Sequence, residues 1–241
     1  MHGRGLLMAA AKRRAAASGD PYLASIVSLL HFDGDLTDQK GITWTAGGNA
    51  TATGTPSMFG SNALALDGSG DYIECPSEAW AAVFNGKHPF TAECWCNITA
   101  NSHHNMIFNA VGHSSYGAGA IMLMISPSNQ LQLYMSSDGS SWDMASTVTS
   151  TATVTDGVYS HVAMTYDGTD TFKVWLDGAE AISVTSSATL YYSAGYKNRI
   201  GAQNYSGAPN PYEGLIDEFR LTAVERYTAP FTPPAAAPAN P

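Results

Sequence analysis

The sequence predicts an all-β fold, a two-sheet sandwich or a barrel, and three observations favour it. Short stretches of alternating apolar and polar residues recur between residues 25 and 222, separated by Gly-, Asn- and Asp-rich turn signals. Within this span only residues 78–84 have the pattern of a helical turn, while residues 6–17 of the N-terminal segment could form a short helix. Hydrophobic residues make up 44% of the chain and charged residues 13%, so uncharged polar residues must supply much of the surface polarity.

The clearest single element is a β-hairpin in residues 157–178. Two runs with a period of two, 158–166 and 172–176, flank the dipeptide Asp167-Gly168. Gly accepts a positive φ and Asp bonds its own local backbone, so this dipeptide is typical of a tight turn. The remaining strands are predicted, in chain order, at 26–32, 62–67, 72–75, 90–98, 106–110, 119–125, 130–135, 146–155, 181–185, 198–202 and 214–222. Residues 41–61 are read as a polar, Gly/Thr-rich connection.

The termini differ in composition from the body of the chain. We divide the sequence into a basic, Ala-rich N-terminal arm (1–22), a body (23–228) and a Pro/Ala-rich tail (229–241), which we expect to be extended and not folded. The arm is either an anchor that docks on a partner subunit or a disordered leader. Its basic residues are the candidate anchoring groups: Arg4, Lys12, Arg13 and Arg14.

The charge distribution excludes some classes of function. The formal net charge is −9 although the arm is basic, so the body is more acidic still. Nucleic-acid binding by the body is not expected, because phosphate contacts need clustered Lys and Arg. No apolar run approaches the roughly 18 residues of a membrane span, and the N-terminus does not resemble a signal peptide. We therefore expect synthesis in a cytoplasm, with Cys75, Cys94 and Cys96 as small buried residues.

Six motifs occur in an order that resembles a known family. They are LLHFDG (29–34), NALALDG (62–68), FTAECW (90–95), SHVAMTYDG (160–168), VWLDG (174–178) and GLIDEFRLT (214–222). This succession resembles the laminin-G-like domain of the concanavalin A-like lectin/glucanase superfamily, with Tyr159 where the family usually has Trp. The ending at 226–234 is similar to that of laminin-G-like proteins encoded by tailed bacteriophages. The resemblance implies a two-sheet antiparallel jelly-roll sandwich whose concave outer sheet faces ligands.

An enzymatic function is not expected on this fold. The glycoside hydrolases of the superfamily carry Glu-x-Asp-x-x-Glu or a near variant, and this chain has no such triplet. Asp217 and Glu218 are adjacent, so regular alternation predicts that they point to opposite faces of their strand. No nucleophile-elbow pattern is present either.

A structural calcium ion is the one cofactor that the resemblance implies. In many relatives such an ion ties the end of the first strand to the last strand, which here suggests Asp33 or Asp35 together with Asp217. Calcium prefers several carboxylate, carbonyl and amide oxygens. Asp33 precedes Gly34 and is equally a turn former, whereas Asp217 lies inside a predicted strand.

The loop-rich region 186–213 is the candidate ligand site. Exposed aromatic residues stack on sugar rings while amides bond the hydroxyl groups. The same residue types are enriched at subunit interfaces, so both interpretations stay open. The candidate residues are Tyr191, Tyr192, Tyr196, Asn204, Tyr205 and Tyr212. The pair His103-His104 lies in a second predicted loop and is either ligand-binding or solvated.

Two functions follow from these features. The first is a non-catalytic structural protein of a phage virion, decorating the capsid or associated with the tail. Its arm and its tail would bind other virion subunits, and copies of the chain would form a homo-oligomer. The alternative is an adhesin or receptor-binding protein whose loops bind a glycan on the host surface. In both cases the protein would be located in the virion and contact no membrane.

Overall fold

The computed structural model describes residues 19–99, 102–112 and 119–241, which form two antiparallel β-sheets. The strands are β1 (Ile26–Leu30), β2 (Thr45–Gly47), β3 (Thr51–Gly54), β4 (Ala63–Asp67), β5 (Tyr72–Pro76), β6 (Phe90–Ile98), β7 (Asn105–Gly112), β8 (Ile121–Ile125), β9 (Gln130–Met135), β10 (Ala145–Thr153), β11 (Ser160–Tyr166), β12 (Thr171–Leu176), β13 (Ala179–Thr185), β14 (Lys197–Ile200) and β15 (Glu213–Thr222). A single turn of α-helix, α1 (Ala81–Phe84), follows a 3-10 turn at Ser77–Trp80, and another 3-10 turn at Leu23–Ser25 precedes β1.

The two sheets are distinct in their strand order. The eight-stranded sheet runs β13-β12-β11-β6-β15-β4-β3, with β1 paired to the C-terminal half of β15. The seven-stranded sheet runs β10-β9-β8-β7-β14-β5-β2. All the pairings are antiparallel, and the sheets pack face to face as a sandwich. The predicted all-β antiparallel sandwich is therefore confirmed.

The inner faces of the two sheets share one hydrophobic core. Alternate residues of each strand point inward, as the period of two in the sequence requires. The helical turn adds aromatic residues to this core: Trp80 is fully buried and stacks on Phe219 of β15, with ring centroids 5.7 Å apart. Cys75, Cys94 and Cys96 are free and buried, as expected.

The hairpin of β11 and β12 has the predicted form. Asp167 accepts hydrogen bonds at Oδ1 from the backbone N–H groups of Thr169, Asp170 and Thr171, which closes the turn. The rings of Tyr166 and Phe172 then meet across the two strands and stack with centroids 4.0 Å apart. Local turn chemistry and cross-strand packing thus fix the same register.

Two segments differ from the sequence-based expectation. Residues 41–61, read as a connection, contain the short strands β2 and β3. The tail has no regular secondary structure in residues 229–241, but it packs on the body, and its Ala237 is 1% exposed. The candidate anchoring residues of the arm lie outside the described residues. No helix in the described part of the chain is long and apolar enough to cross a membrane.

Candidate functional site

The outer face of the seven-stranded sheet carries an unusual apolar patch. Met122 and Met124 of β8 point away from the core and pack with Met106 of β7. Tyr134 on the neighbouring strand β9 pairs in register with Met122. Apolar side chains on the outer face of a sheet need a cover, and here Tyr134 and Trp142 pack against them.

Trp142 belongs to the β9–β10 loop, which its polar side chains hold in shape. Asp138 accepts hydrogen bonds at Oδ1 from the N–H groups of Ser140 and Ser141, and these bonds lower the pKa of the Asp138 carboxyl. Ser137 donates its N–H to Asp143 Oδ1 over 2.9 Å. The loop thereby places the indole ring of Trp142 edge-on to Tyr134, with ring centroids 5.5 Å apart.

A pocket of about 350 Å³ opens between this loop and the β14–β15 connection. Its lining residues are His104, Met122, Met124, Tyr134, Trp142, Gln203 and Asn210. We call it the Trp142 pocket. Its volume lies near the lower end of the range of about 300–1,000 Å³ that is common for small-ligand sites.

The β14–β15 connection, residues 201–212, is fixed to the sheet beneath it. Asn204 donates its backbone N–H to Asn109 Oδ1 over 2.9 Å, and Arg199 Nη1 donates to the Gln203 carbonyl over 3.1 Å. Asn210 adopts a positive φ of 54°, and its carbonyl accepts the N–H of Met106 over 3.1 Å. These bonds hold the polar side of the Trp142 pocket in place.

A second pocket of about 490 Å³ lies on the other side of this connection. Its lining residues are Gly70, Tyr72, Arg199, Asn204, Tyr205, Ser206, Gly207 and Ala208. We call it the Tyr205 pocket. The Arg199 guanidinium lies over the Tyr72 ring at 3.8 Å from its centroid and pairs with Glu74 through a 2.9 Å contact. Tyr205 is 41% exposed.

The structure divides the predicted ligand residues into separate groups. Asn204 and Tyr205 line the Tyr205 pocket. Tyr191, Tyr192 and Tyr196 lie before β14, partly buried against the core, and line neither of the two pockets.

Tyr212 is not available to a ligand, contrary to the expectation from its loop-like surroundings. It is 0% exposed, and its N–H closes the base of the connection by bonding the Gly201 carbonyl over 2.7 Å. Its position immediately before β15 places its ring in the core instead of on the surface.

Sequence reasoning missed the apolar half of the Trp142 pocket. Strand β8 is apolar at every position, so the alternation that separates an inner from an outer face is absent there. The neighbouring strand β9 does alternate, and its polar or amphipathic residues Gln132 and Tyr134 point outward. Met124 pairs with Gln132 and Met122 pairs with Tyr134, so the two methionines point outward as well. Of the flagged histidine pair, His104 lines the pocket, while His103 Nε2 contacts the Pro211 carbonyl at 2.9 Å.

The candidate calcium residues meet backbone donors. Asp217 Oδ2 accepts the N–H groups of Met58 and Phe59 at 2.8 and 3.1 Å. Asp33 Oδ1 accepts the N–H of Ser61 at 2.6 Å. The segment between β3 and β4 thus joins the end of the first strand to the last strand, because its backbone N–H groups donate to both carboxylates. A calcium ion at this place would instead need oxygen atoms around it.

Asp35 is engaged in its own turn. Its Oδ1 accepts the N–H of Thr37 over 2.8 Å, and hydrogen bonding by Thr37 lowers the pKa of the carboxyl. Among the residues that the structure describes, no group of three or more His, Cys, Asp or Glu side chains is placed to hold a metal ion. Calcium binding stays a prediction.

The outer face of the eight-stranded sheet is organised differently, around Glu93 of β6. Arg220 Nη2 contacts Glu93 Oε1 at 2.7 Å, and Tyr227 donates its hydroxyl to Oε2 over 2.7 Å. His161 Nε2 lies 3.1 Å from Oε2, and Arg226 Nε lies 3.2 Å from Oε1. Burial alone would raise the pKa of Glu93, but Arg220, His161 and Arg226 hold it well below its usual value. We call these residues the Glu93 cluster.

A bulge in β15 overturns the expected placement of Glu218. The pairing of β15 with β6 shifts between Asp217 and Arg220, and Glu218 has a positive φ of 52°. The extra residue breaks the strict alternation of faces. Asp217 pairs with Trp95, which points to the outer face, and Glu218 lines a small cavity together with the same Trp95. Both acidic residues therefore lie on the outer face. Glu218 Oε2 lies 2.5 Å from His31 Nδ1.

The C-terminal tail covers the Glu93 cluster. Phe231 stacks on Tyr227 with centroids 3.6 Å apart and meets the rings of Trp175 and His161 edge-on. Its N–H donates to the Gly178 carbonyl over 3.0 Å. Gly178 has a positive φ of 82°, and a Cβ there would overlap the Phe231 carbonyl, so this contact requires glycine.

Farther along the tail, Pro234 and Pro238 close the small cavity above Glu93 and Glu218. Asn240 Oδ1 lies 2.7 Å from His31 Nε2 and so extends the covered surface to the end of β1. Glu93 and Glu218 are consequently paired with other side chains and shielded by the chain itself.

Comparison with solved structures finds the same fold in proteins of low sequence identity. The receptor-binding domain of botulinum neurotoxin C/D mosaic serotype superposes with a TM-score of 0.60 at 14% identity, over 84% of this chain. Trypanosoma rangeli sialidase in complex with 2,3-difluorosialic acid gives 0.63 at 15% identity, over 84% of this chain. Domain 4 of the extracellular arabinanase AbnA from Geobacillus stearothermophilus, in complex with arabinotriose, gives 0.59 at 20% identity, over 83% of this chain.

The matched regions differ in how much of each protein they represent. This chain spans 48% of the neurotoxin domain, 31% of the sialidase and 93% of the arabinanase domain. No curated protein matches the chain in sequence. A laminin-G-like family model, described as concanavalin A-like lectin/glucanases superfamily, matches residues 67–226, which include β6 and β15 and most of both sheets. The chain therefore belongs to the concanavalin A-like lectin/glucanase superfamily.

Proposed function

We propose that this protein is a non-catalytic carbohydrate-binding module whose ligand lies on the outer face of the seven-stranded sheet. The observation that carries the proposal is the Trp142 pocket, in which Trp142 and Tyr134 face the polar side chains of His104, Gln203 and Asn210. Sugars present an apolar ring face and a rim of hydroxyl groups, and such a pocket offers a partner to each.

The distribution of carboxylates supports binding over hydrolysis. Glycoside hydrolysis by the common mechanisms needs two carboxyl groups on either side of the scissile bond. Among the described residues, neither the Trp142 pocket nor the Tyr205 pocket is lined by Asp or Glu. Glu93 and Glu218 lie on the opposite face of the molecule, beneath the tail.

The solved structures are consistent with this proposal through their fold. One of them is a domain bound to arabinotriose, and another is the receptor-binding domain of a toxin. At 14–20% identity they support the fold alone. The ligand site of the present chain is argued from its own pocket.

We further propose that the module works in a phage virion, either as an adhesin for host-surface glycans or as a structural decoration. The similarity of residues 226–234 to the ending of phage-encoded laminin-G-like proteins supports this setting. The tail packs on its own body, so attachment to other virion subunits would use the arm or a surface of the body. Mass spectrometry of purified particles tests the setting, and absence of the chain from intact virions would refute it.

A glycan array tests the binding function. We expect the intact protein to bind a subset of neutral glycans and the Trp142→Ala variant to lose roughly tenfold in affinity, because stacking on the indole is removed. Val158→Ala is the control, since Val158 is an exposed apolar side chain, 53% accessible, that lines neither pocket.

The Tyr205→Ala variant separates the two pockets on the same array. A loss as large as that of Trp142→Ala would show that ligands span both pockets. If the intact protein binds no glycan on the array, or if Trp142→Ala and Val158→Ala lose equal affinity, the proposed site is contradicted.

A further inference from the structure

The Trp142 pocket is divided by polarity into two halves. Its floor consists of Met122 and Met124, which are 4% and 2% exposed, over the fully buried Met106. Tyr134 and Trp142 form the adjoining wall. The two aromatic rings of the wall can accept the flat face of a sugar ring. The methionine floor adds a further apolar contact for a substituent of that ring.

The opposite half is polar and, among the described residues, contains no Lys, Arg, Asp or Glu. It consists of the imidazole of His104 and the side-chain amides of Gln203 and Asn210. Asn210 Nδ2 donates to Gln203 Oε1 over 3.2 Å, so the two amides are oriented relative to one another. Amides and imidazole both donate and accept hydrogen bonds, which suits hydroxyl and amide groups of a ligand.

The electrostatics of the pocket disfavour an acidic ligand. Among the described residues, no Lys or Arg lines it, and the whole chain carries a formal net charge of −9. Arg199 belongs to the neighbouring Tyr205 pocket and is already paired with Glu74. A carboxylate sugar would enter without a countercharge and against a negative field.

We propose that the Trp142 pocket selects a neutral sugar that carries a methyl group, with the methyl on the methionine floor and the ring on Trp142 or Tyr134. This inference rests on the proposed carbohydrate-binding function and gives it a ligand class. A hydroxyl group held against the methionines would lose hydrogen bonds with water, whereas a methyl group gains from the same contact. The methyl group belongs either to an N-acetyl substituent or to a 6-deoxy sugar.

Matched sugar pairs titrated into the full chain and followed by NMR test the ligand class. The pairs are D-glucose with N-acetyl-D-glucosamine and D-galactose with D-fucose, its 6-deoxy analogue, and D-glucuronic acid represents the acidic sugars. We expect the methyl-bearing member of at least one pair to bind about fourfold or more tightly than its partner, the ratio expected for one buried CH₂-sized group. The pair that shows the preference identifies the source of the methyl group.

Two variants assign the preference to the methionine floor. Met124→Gln replaces the apolar side chain by a polar one of similar length, and we expect it to abolish the preference while sugar binding persists. Asn210→Gly removes the side-chain amide, and glycine tolerates the positive φ at this position. We expect this variant to weaken the binding of both sugars of a pair by the same factor. If Met124→Gln fails to fold, the ratio within each pair for the intact protein still decides the inference.

The outcomes separate this inference from the function on which it rests. If no sugar binds the intact protein, the proposed function and this inference both fail. If sugars bind and Trp142→Ala weakens them but methyl-bearing and parent sugars bind equally, the inference alone fails. Binding of glucuronic acid as tightly as N-acetylglucosamine would also overturn it.

Discussion

The two outer faces of the sandwich use polar residues in opposite ways. On the eight-stranded sheet the charges of the Glu93 cluster neutralise one another under the tail, and Glu93 itself is 3% exposed. On the seven-stranded sheet the amides of Gln203 and Asn210 and the imidazole of His104 line the Trp142 pocket. Charges that are paired and buried fasten the chain to itself, whereas uncharged donors and acceptors beside aromatic rings are suited to binding a ligand. We therefore expect the first face to contribute mainly to stability, and we propose recognition on the second.

The largest expected difference between the two faces is in the free energy of unfolding that is lost when one carboxylate is removed. Glu93→Gln leaves the guanidinium of Arg220, 3% exposed, without its main countercharge, and we expect a loss of about 3 kcal/mol in the free energy of unfolding. This is the lower end of the usual cost because Asp20 still contacts Arg220 at 2.7 Å.

The same substitution on the other face is the control. Glu74→Gln removes the partner of Arg199 where both side chains are partly exposed, 19% and 12%, so we expect about 1 kcal/mol or less. Urea denaturation of both variants gives the comparison. Equal losses in the two variants would show that the covered face is not the more strongly stabilised one.

The tail is expected to contribute the next largest effect. Phe231→Ala removes the ring that packs against Tyr227, Trp175 and His161, and we expect a loss of roughly 2 kcal/mol, less than for a fully buried Phe. Limited proteolysis and amide hydrogen exchange should show opening of the tail after the substitution. Sugar binding at the Trp142 pocket should remain unchanged, and a parallel loss of binding would contradict the independence of the two faces.

A smaller, pH-dependent effect on the free energy of unfolding is expected at Asp217. Burial and the neighbouring Glu218 raise the pKa of this carboxyl to about 8, although backbone N–H groups oppose the shift. The folded state therefore binds a proton more tightly than the unfolded state, and Asp217 makes stability fall as pH rises from about 4 to about 8.

The Asp217→Asn variant lacks this titration, so the stability of the natural protein relative to the variant should decline with rising pH. The decline is at most about 1.4 kcal/mol between about pH 6 and pH 7. Urea denaturation of both proteins across this range measures it. A difference that stays constant across this range would mean that Asp217 is ionised in both the folded and the unfolded state, held by its N–H donors.

The elements that the sequence predicts well are those fixed by local chemistry. The Asp167-Gly168 turn and the alternation in β11 and β12 determine the hairpin before any tertiary contact is considered. Strands β2 and β3 escaped prediction because they are only three and four residues long and mostly polar. Their pairing depends on β5 and β4, which are distant in the sequence.

The candidate site depended on contacts that a single sequence does not display. The loop composition predicts Tyr205 as a ligand residue, and it does line a pocket. The same composition surrounds Tyr212, which enters the core. Trp142 lies in a short Ser/Asp turn, and its partners Met124 and Asn210 come from two other parts of the chain. The bulge that brings Glu218 beside Trp95 is likewise a product of pairing between β15 and β6.

We propose that recognition takes place on the outer face of the seven-stranded sheet and not on the face beneath the tail. NMR titration of the full chain with N-acetylglucosamine and fucose, following backbone amide and indole N–H signals, tests it most directly. The account predicts shifts at Trp142, Tyr134, Met124 and the 201–212 connection, with little change at Trp175 and Phe231. Shifts concentrated at Trp175 and Phe231, or no shifts with either sugar, would contradict it.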